Sequence, residues 1–89
     1  MHAVAVRVHI KSGRHDEAIR GLHEAVVAGV KASPGFVRGT WTGDDSTGLG
    51  LMVFESEEQA RRMAGTVRSD DEDPVQIEDV KVYEVMAEA

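Results

Sequence analysis

From Ala3 to Ile10 the chain reads AVAVRVHI, an alternation that puts Val4, Val6, Val8 and Ile10 on one side and Ala3, Ala5, Arg7 and His9 on the other. Such a period of two predicts a β-strand. Ser12 and Gly13 end it, and from about Arg14 to Lys31 the apolar spacing changes to three and four, through Ile19, Leu22, Val26 and Val30. This is the pattern of an amphipathic helix. Asp16 and Glu17 fall in its first turn and Lys31 in its last, as the helix dipole favours, and Pro34-Gly35 stops it. Phe36 to Thr42 predicts a second strand, Gly43 to Gly48 (GDDSTG) a turn, and Leu49 to Glu55 a third strand antiparallel to the second.

Ser56-Glu57-Glu58-Gln59 has the residues of a capping box, in which the serine oxygen accepts a free helical N–H and the glutamine reaches back to the cap. A second helix follows, with Ala60, Met63, Ala64 and Val67 as its apolar stripe. SDDEDP, Ser69 to Pro74, is an acidic loop, Val75 to Met86 alternates loosely as a fourth strand, and Ala87-Glu88-Ala89 is expected to fray. The order βαββαβ, with two right-handed crossovers, gives a ferredoxin-like α+β fold: a four-stranded antiparallel sheet with both helices on one face. One domain over residues 1–89 accounts for the whole pattern, since 89 residues leave no room for a second core.

Two helices cover only one face of that sheet, yet strand three is apolar on both. Leu49, Leu51 and Val53 share one side, and Met52 and Phe54 share the other. An antiparallel sheet with one face in water reads apolar on a single side, so a second sheet is expected on the bare face. The pattern therefore predicts a homodimer with sheets packed face to face, a dimeric α/β barrel.

Composition narrows the classes of function. A formal net charge of −6 repels nucleic-acid phosphates and anionic membranes, so neither is an expected partner. The absence of cysteine excludes disulfides, thiolate metal sites and iron–sulfur clusters. No apolar run approaches the roughly 20 residues of a membrane span, and the first residues read directly into a strand rather than a signal-type segment, so a cytoplasmic protein is expected.

Strand one running into Ser12-Gly13, Pro34-Gly35-Phe36 opening strand two, and Val53-Phe54-Glu55-Ser56-Glu57-Glu58-Gln59-Ala60 joining strand three to the second helix together resemble the antibiotic-biosynthesis monooxygenase-like proteins of the dimeric α/β-barrel superfamily. The resemblance spans nearly the whole chain and rests on motifs that build the fold. It implies a dimer with a cleft for a small aromatic compound. In relatives that oxidise polycyclic phenols without a cofactor, or degrade haem, an asparagine on strand one and a tryptophan on the second helix carry the site. By the register of the shared motifs, Arg7 stands at the asparagine position and Met63 at the tryptophan position; the chain contains no asparagine. The second helix and the loop after it also lack a histidine to ligate haem. The missing asparagine and the lack of a sharp catalytic constellation lead to the expectation of a cofactor-free protein that binds a small aromatic or anionic metabolite without catalysis; the alternative, which the resemblance implies, is a cofactor-independent monooxygenase acting on a phenolic or quinone-like substrate.

For either reading the candidate residues are the same. His9 is a possible general base on a phenol and Arg7 an anion partner, unless Glu78, Asp79 or Glu84 on strand four neutralises it. Arg38 on strand two is a second candidate cation for a ligand. Trp41 is the large aromatic best suited to a pocket, with Met52 and Met63 as adaptable apolar walls, although both residue types also serve as core. Parity over strand two places Phe36 and Trp41 on opposite faces. No metal site is expected: His15 and His23 lie about 12 Å apart along one helix, and the run from Asp70 to Asp73 lacks calcium-loop spacing.

Overall fold

A computed structural model describes residues 1–89. Strands β1 (His2–Ile10), β2 (Phe36–Gly43), β3 (Thr47–Phe54) and β4 (Val75–Glu84) form one antiparallel sheet in the order β2-β3-β1-β4. A long helix occupies the first crossover, in three consecutive stretches: His15–Gly21, Leu22–Val26 and Val27–Lys31. A short helix, Glu57–Ala64, occupies the second. This is the ferredoxin-like α+β arrangement expected from the apolar pattern.

Alternation on β1 decides which residues the helices cover. Val4 and Val6 join Met52 and Phe54 of β3, Val30 of the long helix and Ala60 of the short one in a single buried cluster. Val8, Ile77, Val80 and Val82 pack at its margin. The helix-covered face is therefore the valine face of β1.

Three irregularities shift the simple periods. The middle stretch of the long helix, Leu22–Val26, is π-helical and takes in one residue beyond the α repeat. As a result the inward stripe runs Ala18, Leu22, Val27 and Val30, with a step of five across the wide turn, while Ile19 and Val26 stand exposed. The expected stripe is thus corrected at two places: the inserted residue turns Val27 inward in place of Val26, and upstream of it Ala18 faces inward in place of Ile19. On β2 the register slips between Phe36 and Arg38, so Phe36 opposes Phe54 and Arg38 opposes Val53. That slip reverses the parity of Phe36: it lies on the same face as Trp41, and its ring meets Phe54 edge-on at 5.9 Å. A third slip, on β4, sets Asp79 opposite Arg7 and Ile77 opposite Val8, leaving Glu78 as the extra residue.

The loops are held by specific hydrogen bonds. Arg14 grips Glu17 through two bonds of 2.9 and 2.7 Å and donates a third, of 2.8 Å, to the Glu72 carbonyl, joining the start of the long helix to the acidic loop. Lys11 donates to the carbonyl of Asp71 in the same loop. Asp44 accepts from the backbone N–H groups of Ser46 and Thr47 at 2.9 and 2.8 Å, which closes the β2–β3 turn.

Only half of the expected capping box forms. Ser56, in extended conformation, accepts from Gln59 N–H at 3.2 Å. The Gln59 side chain instead lies against Gly35, whose φ of +78° opens β2, and a Cβ there would fall 1.9 Å from Gln59 Oε1. That oxygen is buried with no hydrogen-bond partner. Ser56→Ala should therefore lower the unfolding free energy by about 1 kcal/mol, the usual cost of a lost cap. Gln59→Met should be neutral or stabilising, because it removes an unsatisfied acceptor at nearly constant shape. Urea denaturation of both variants checks the pair; a capping glutamine would make Gln59→Met the more damaging change.

Candidate functional site

The face that the helices leave bare is built from four cross-strand rows. Reading from β2 to β4, they are Arg38–Val53–Ala3–Tyr83, Thr40–Leu51–Ala5–Lys81, Thr42–Leu49–Arg7–Asp79 and, beyond β2, Thr47–His9–Gln76. Leu49, Leu51 and Tyr83 are 52%, 47% and 52% exposed, so the second apolar face read from β3 is present and uncovered by this chain's helices.

Two hollows lie on this face. The larger, of about 460 Å³, is walled by Arg7, Thr42, Leu49, Leu51, Lys81 and Tyr83, with Ala5 in its floor. The smaller, of about 270 Å³, lies toward Arg38 and is walled by Ala3, Val53 and the segment after β4, Val85 to Glu88. Thr40, Leu51 and Tyr83 border both, so the two make one trough across the sheet. The small side chain of Ala5 keeps its centre low, standing between Leu51 and Lys81.

Its cations are all partly neutralised. Arg7 Nε lies 3.7 Å from Glu78 Oε1, the extra residue of the β4 slip, and Lys81 Nζ lies 3.9 Å from Asp79 Oδ2. Arg38 pairs with Glu88. The first two pairs are long and solvent-exposed, the kind that contributes about 0.2–1 kcal/mol. An anionic ligand would meet guanidinium and ammonium groups that are only loosely engaged.

The predicted site residues divide between the two faces. Arg7, His9 and Arg38 lie on the bare face, with His9 exposed between Thr47 and Gln76. Trp41, Met52 and Met63 lie on the helix-covered face: Met52 is fully part of the buried cluster, and Trp41 and Met63 pack against it. The sheet itself separates the two sets, so Trp41 borders neither hollow and is a core tryptophan here. Its indole lies flat on the backbone, and a Cβ added to Gly39 or Gly50 would come within 2.7 or 2.8 Å of it. Those two glycines, one on β2 and one on β3, were the sequence signal for a tryptophan lying along the sheet.

Lys81 and Tyr83 are the trough residues that the alternation alone did not single out, because the slip at Glu78 obscures the parity of β4. No three histidine or acidic side chains converge to hold a metal ion. No helix is long and apolar enough to cross a membrane.

No family model matches the sequence, and no curated protein matches it.

Displaced titration occurs away from the trough. Hydrogen bonds from Arg14 hold the Glu17 carboxyl below the ordinary range, and the Glu17 carboxylate raises the Arg14 guanidinium in turn. The N–H groups of Ser46 and Thr47 do the same to Asp44, and Arg61 does so to Glu57. Each carboxylate ionises more easily folded than unfolded. The stability they contribute is therefore complete above the unfolded carboxylate pKa of about 4 and is lost as pH falls through the lower folded values. Thermal unfolding should show Tm falling on acidification from about pH 5 to pH 2. Asp44→Asn, which retains a carbonyl acceptor for the turn without the ionisable charge, should flatten that fall; an unchanged slope would remove Asp44 from the acid response.

Proposed function

We propose that the protein is a small cytoplasmic homodimer similar to the antibiotic-biosynthesis monooxygenase-like proteins, which binds a small aromatic or anionic metabolite without transforming it. Two copies pack bare face to bare face, and the trough of each becomes part of an enclosed cavity between the sheets. The single observation that carries this reading is the trough itself: exposed leucine and tyrosine side chains flanking loosely paired cations on a sheet face that no helix covers.

Physical size supports the assembly. Four strands about 4.8 Å apart and eight residues long at about 3.3 Å each present a footprint on the order of 500 Å². Two such footprints reach the roughly 1,000 Å² expected of a specific interface. Leu49 and Leu51, on the inner strand β3, lie near the middle of that footprint, where burial gains most, and Tyr83 on the β4 edge and Met86, 92% exposed on the segment after it, add to the apolar area.

The ligand class follows from the walls. Leu49, Leu51 and Tyr83 suit a flat apolar or aromatic body, and Arg7 and Lys81 suit one anionic group at its edge. A non-catalytic role agrees with the separation of His9 and Arg7 from Trp41 by the thickness of the sheet.

Light scattering at micromolar concentration should give twice the chain mass for the native protein. Leu51→Glu, which places a charge in the centre of the face, should give a folded monomer by circular dichroism. A native monomer sinks the assembly. Titration with 1-naphthoate should show binding that weakens about threefold to tenfold in Arg7→Ala with Lys81→Ala, and oxygen uptake with a phenolic probe should stay at the uncatalysed rate; oxygen consumption abolished by His9→Ala would instead establish the oxygenase.

A further inference from the structure

Ala3 and Val53 are only 5% and 4% exposed, although both lie on the face without helices and neither belongs to the buried cluster beneath the helices. Something on the bare side covers them. The segment after β4 does so: Val85, Met86, Ala87 and Glu88 wall the smaller hollow together with Ala3, Val53 and Arg38. Val85 N–H donates to the Met1 carbonyl at 2.9 Å and continues the β1–β4 pairing by one step, and Glu88 then meets Arg38 on β2, the opposite edge of the sheet.

The crossing is short enough to be made by the backbone of the segment together with the Glu88 and Arg38 side chains. Three inter-strand spacings amount to about 14 Å, and the four residues from Glu84 to Glu88 extend at most about 13–14 Å. The segment is therefore a strap drawn over the face, tied at one end by a backbone bond and at the other by one ion pair. Its middle is weakly held, with Met86 projecting into solvent.

Beneath the strap is a place with the same chemistry as the larger hollow: a guanidinium at one end, apolar floor at Ala3 and Val53, and the Tyr83 and Leu51 side chains it shares with the rest of the trough. The carboxylate that engages its guanidinium belongs to the chain. We propose that Val85–Glu88 is a gating strap and that Glu88 is a built-in occupant of an anion subsite at Arg38, which a small amphiphilic carboxylate takes over once the strap lifts. This rests on the binding reading above and adds its regulation: the trough has a short, closed form and a long, open form, and a ligand that spans both hollows selects the open one.

Competition fixes the size of the effect. An ion pair with Arg38 half exposed contributes no more than about 1 kcal/mol, so removing the competing carboxylate should raise ligand affinity by about twofold to fivefold. The test compares the native protein, Glu88→Gln and Arg38→Ala, with 1-naphthoate and the neutral naphthalenemethanol as probes followed by calorimetric titration. Backbone ¹⁵N relaxation of residues 85–88 without ligand reports the strap directly. The expected result is a strap that is ordered in the native protein and mobile in both variants. Naphthoate should tighten in Glu88→Gln but not in Arg38→Ala, and the neutral probe should not discriminate Glu88→Gln from Arg38→Ala.

An ordered strap in Glu88→Gln overturns the latch. A mobile strap with equal gains for both variants and both probes overturns the anion subsite, since the strap then shields only apolar surface. A mobile strap with unchanged naphthoate affinity in Glu88→Gln overturns the gate while leaving binding at Arg7 and Lys81 intact. Absence of naphthoate binding to all three proteins overturns the ligand reading itself, and the gate with it, a result distinct from the equal affinities that mark failure of the gate alone.

Discussion

A four-stranded sheet has two faces, and this chain supplies helices for one. Burial of Val4, Val6, Met52 and Phe54 beneath Val30 and Ala60 is the hydrophobic contact that fixes the fold, and it commits every alternate residue of β1 and β3 to the other side. Because a one-residue shift would exchange the two sets, the register that buries Phe54 also presents Leu49, Leu51 and Arg7 to the outside. The core and the trough are thus consequences of a single choice of register. Nothing in the trough can change strand position without disturbing the core behind it.

That coupling explains which parts of the molecule were legible in the amino-acid pattern. Val4 to Ile10 alternates without interruption, and Ser12-Gly13, Pro34-Gly35 and the turn around Asp44 mark the ends of elements by backbone chemistry, so the element order and the second apolar face followed from the residues alone. Side-chain parity failed where the backbone takes in an extra residue. The slip beyond Phe36 places that ring beside Trp41, the wide turn at Leu22–Val26 moves the inward stripe from Val26 to Val27, and the slip at Glu78 hides Lys81 and Tyr83. A slip leaves no mark in a two- or 3.6-residue period except a break, and a break alone does not say which residue is the extra one. Distribution of the candidate residues met a related limit: Arg7 and His9 were readable as one side of β1, but parity within a strand does not say which residues of β2 share that side, so Arg38 and Trp41 were placed only by the cross-strand register.

The glutamine of the second helix shows a different limit. Ser56 and Gln59 have the spacing of a reciprocal cap, and the serine half forms. Gly35, distant in sequence, offers the Gln59 side chain a flat surface where any Cβ would clash, and packing there displaces the hydrogen bond that local spacing favours. Tertiary contact overrides the local motif and leaves Oε1 unpartnered, a cost of the kind that buried polar groups carry when packing dominates.

Charge determines whether the bare face can serve as a meeting surface at all. The chain carries −6 overall, and two such molecules repel at long range. On the bare face, however, Arg7 stands by Glu78, Lys81 by Asp79 and Arg38 by Glu88, so each cation of the four rows has its own carboxylate. Repulsion from the remaining acidic groups is screened over a Debye length of about 8 Å at physiological salt, whereas the locally neutral face is what a second copy would touch. Neutral pairs set among Leu49, Leu51 and Tyr83 leave hydrophobic burial to decide the contact. They also mean that any anion entering the trough must displace or share a carboxylate already there, which favours ligands whose apolar body adds contacts that Glu78, Asp79 and Glu88 do not make.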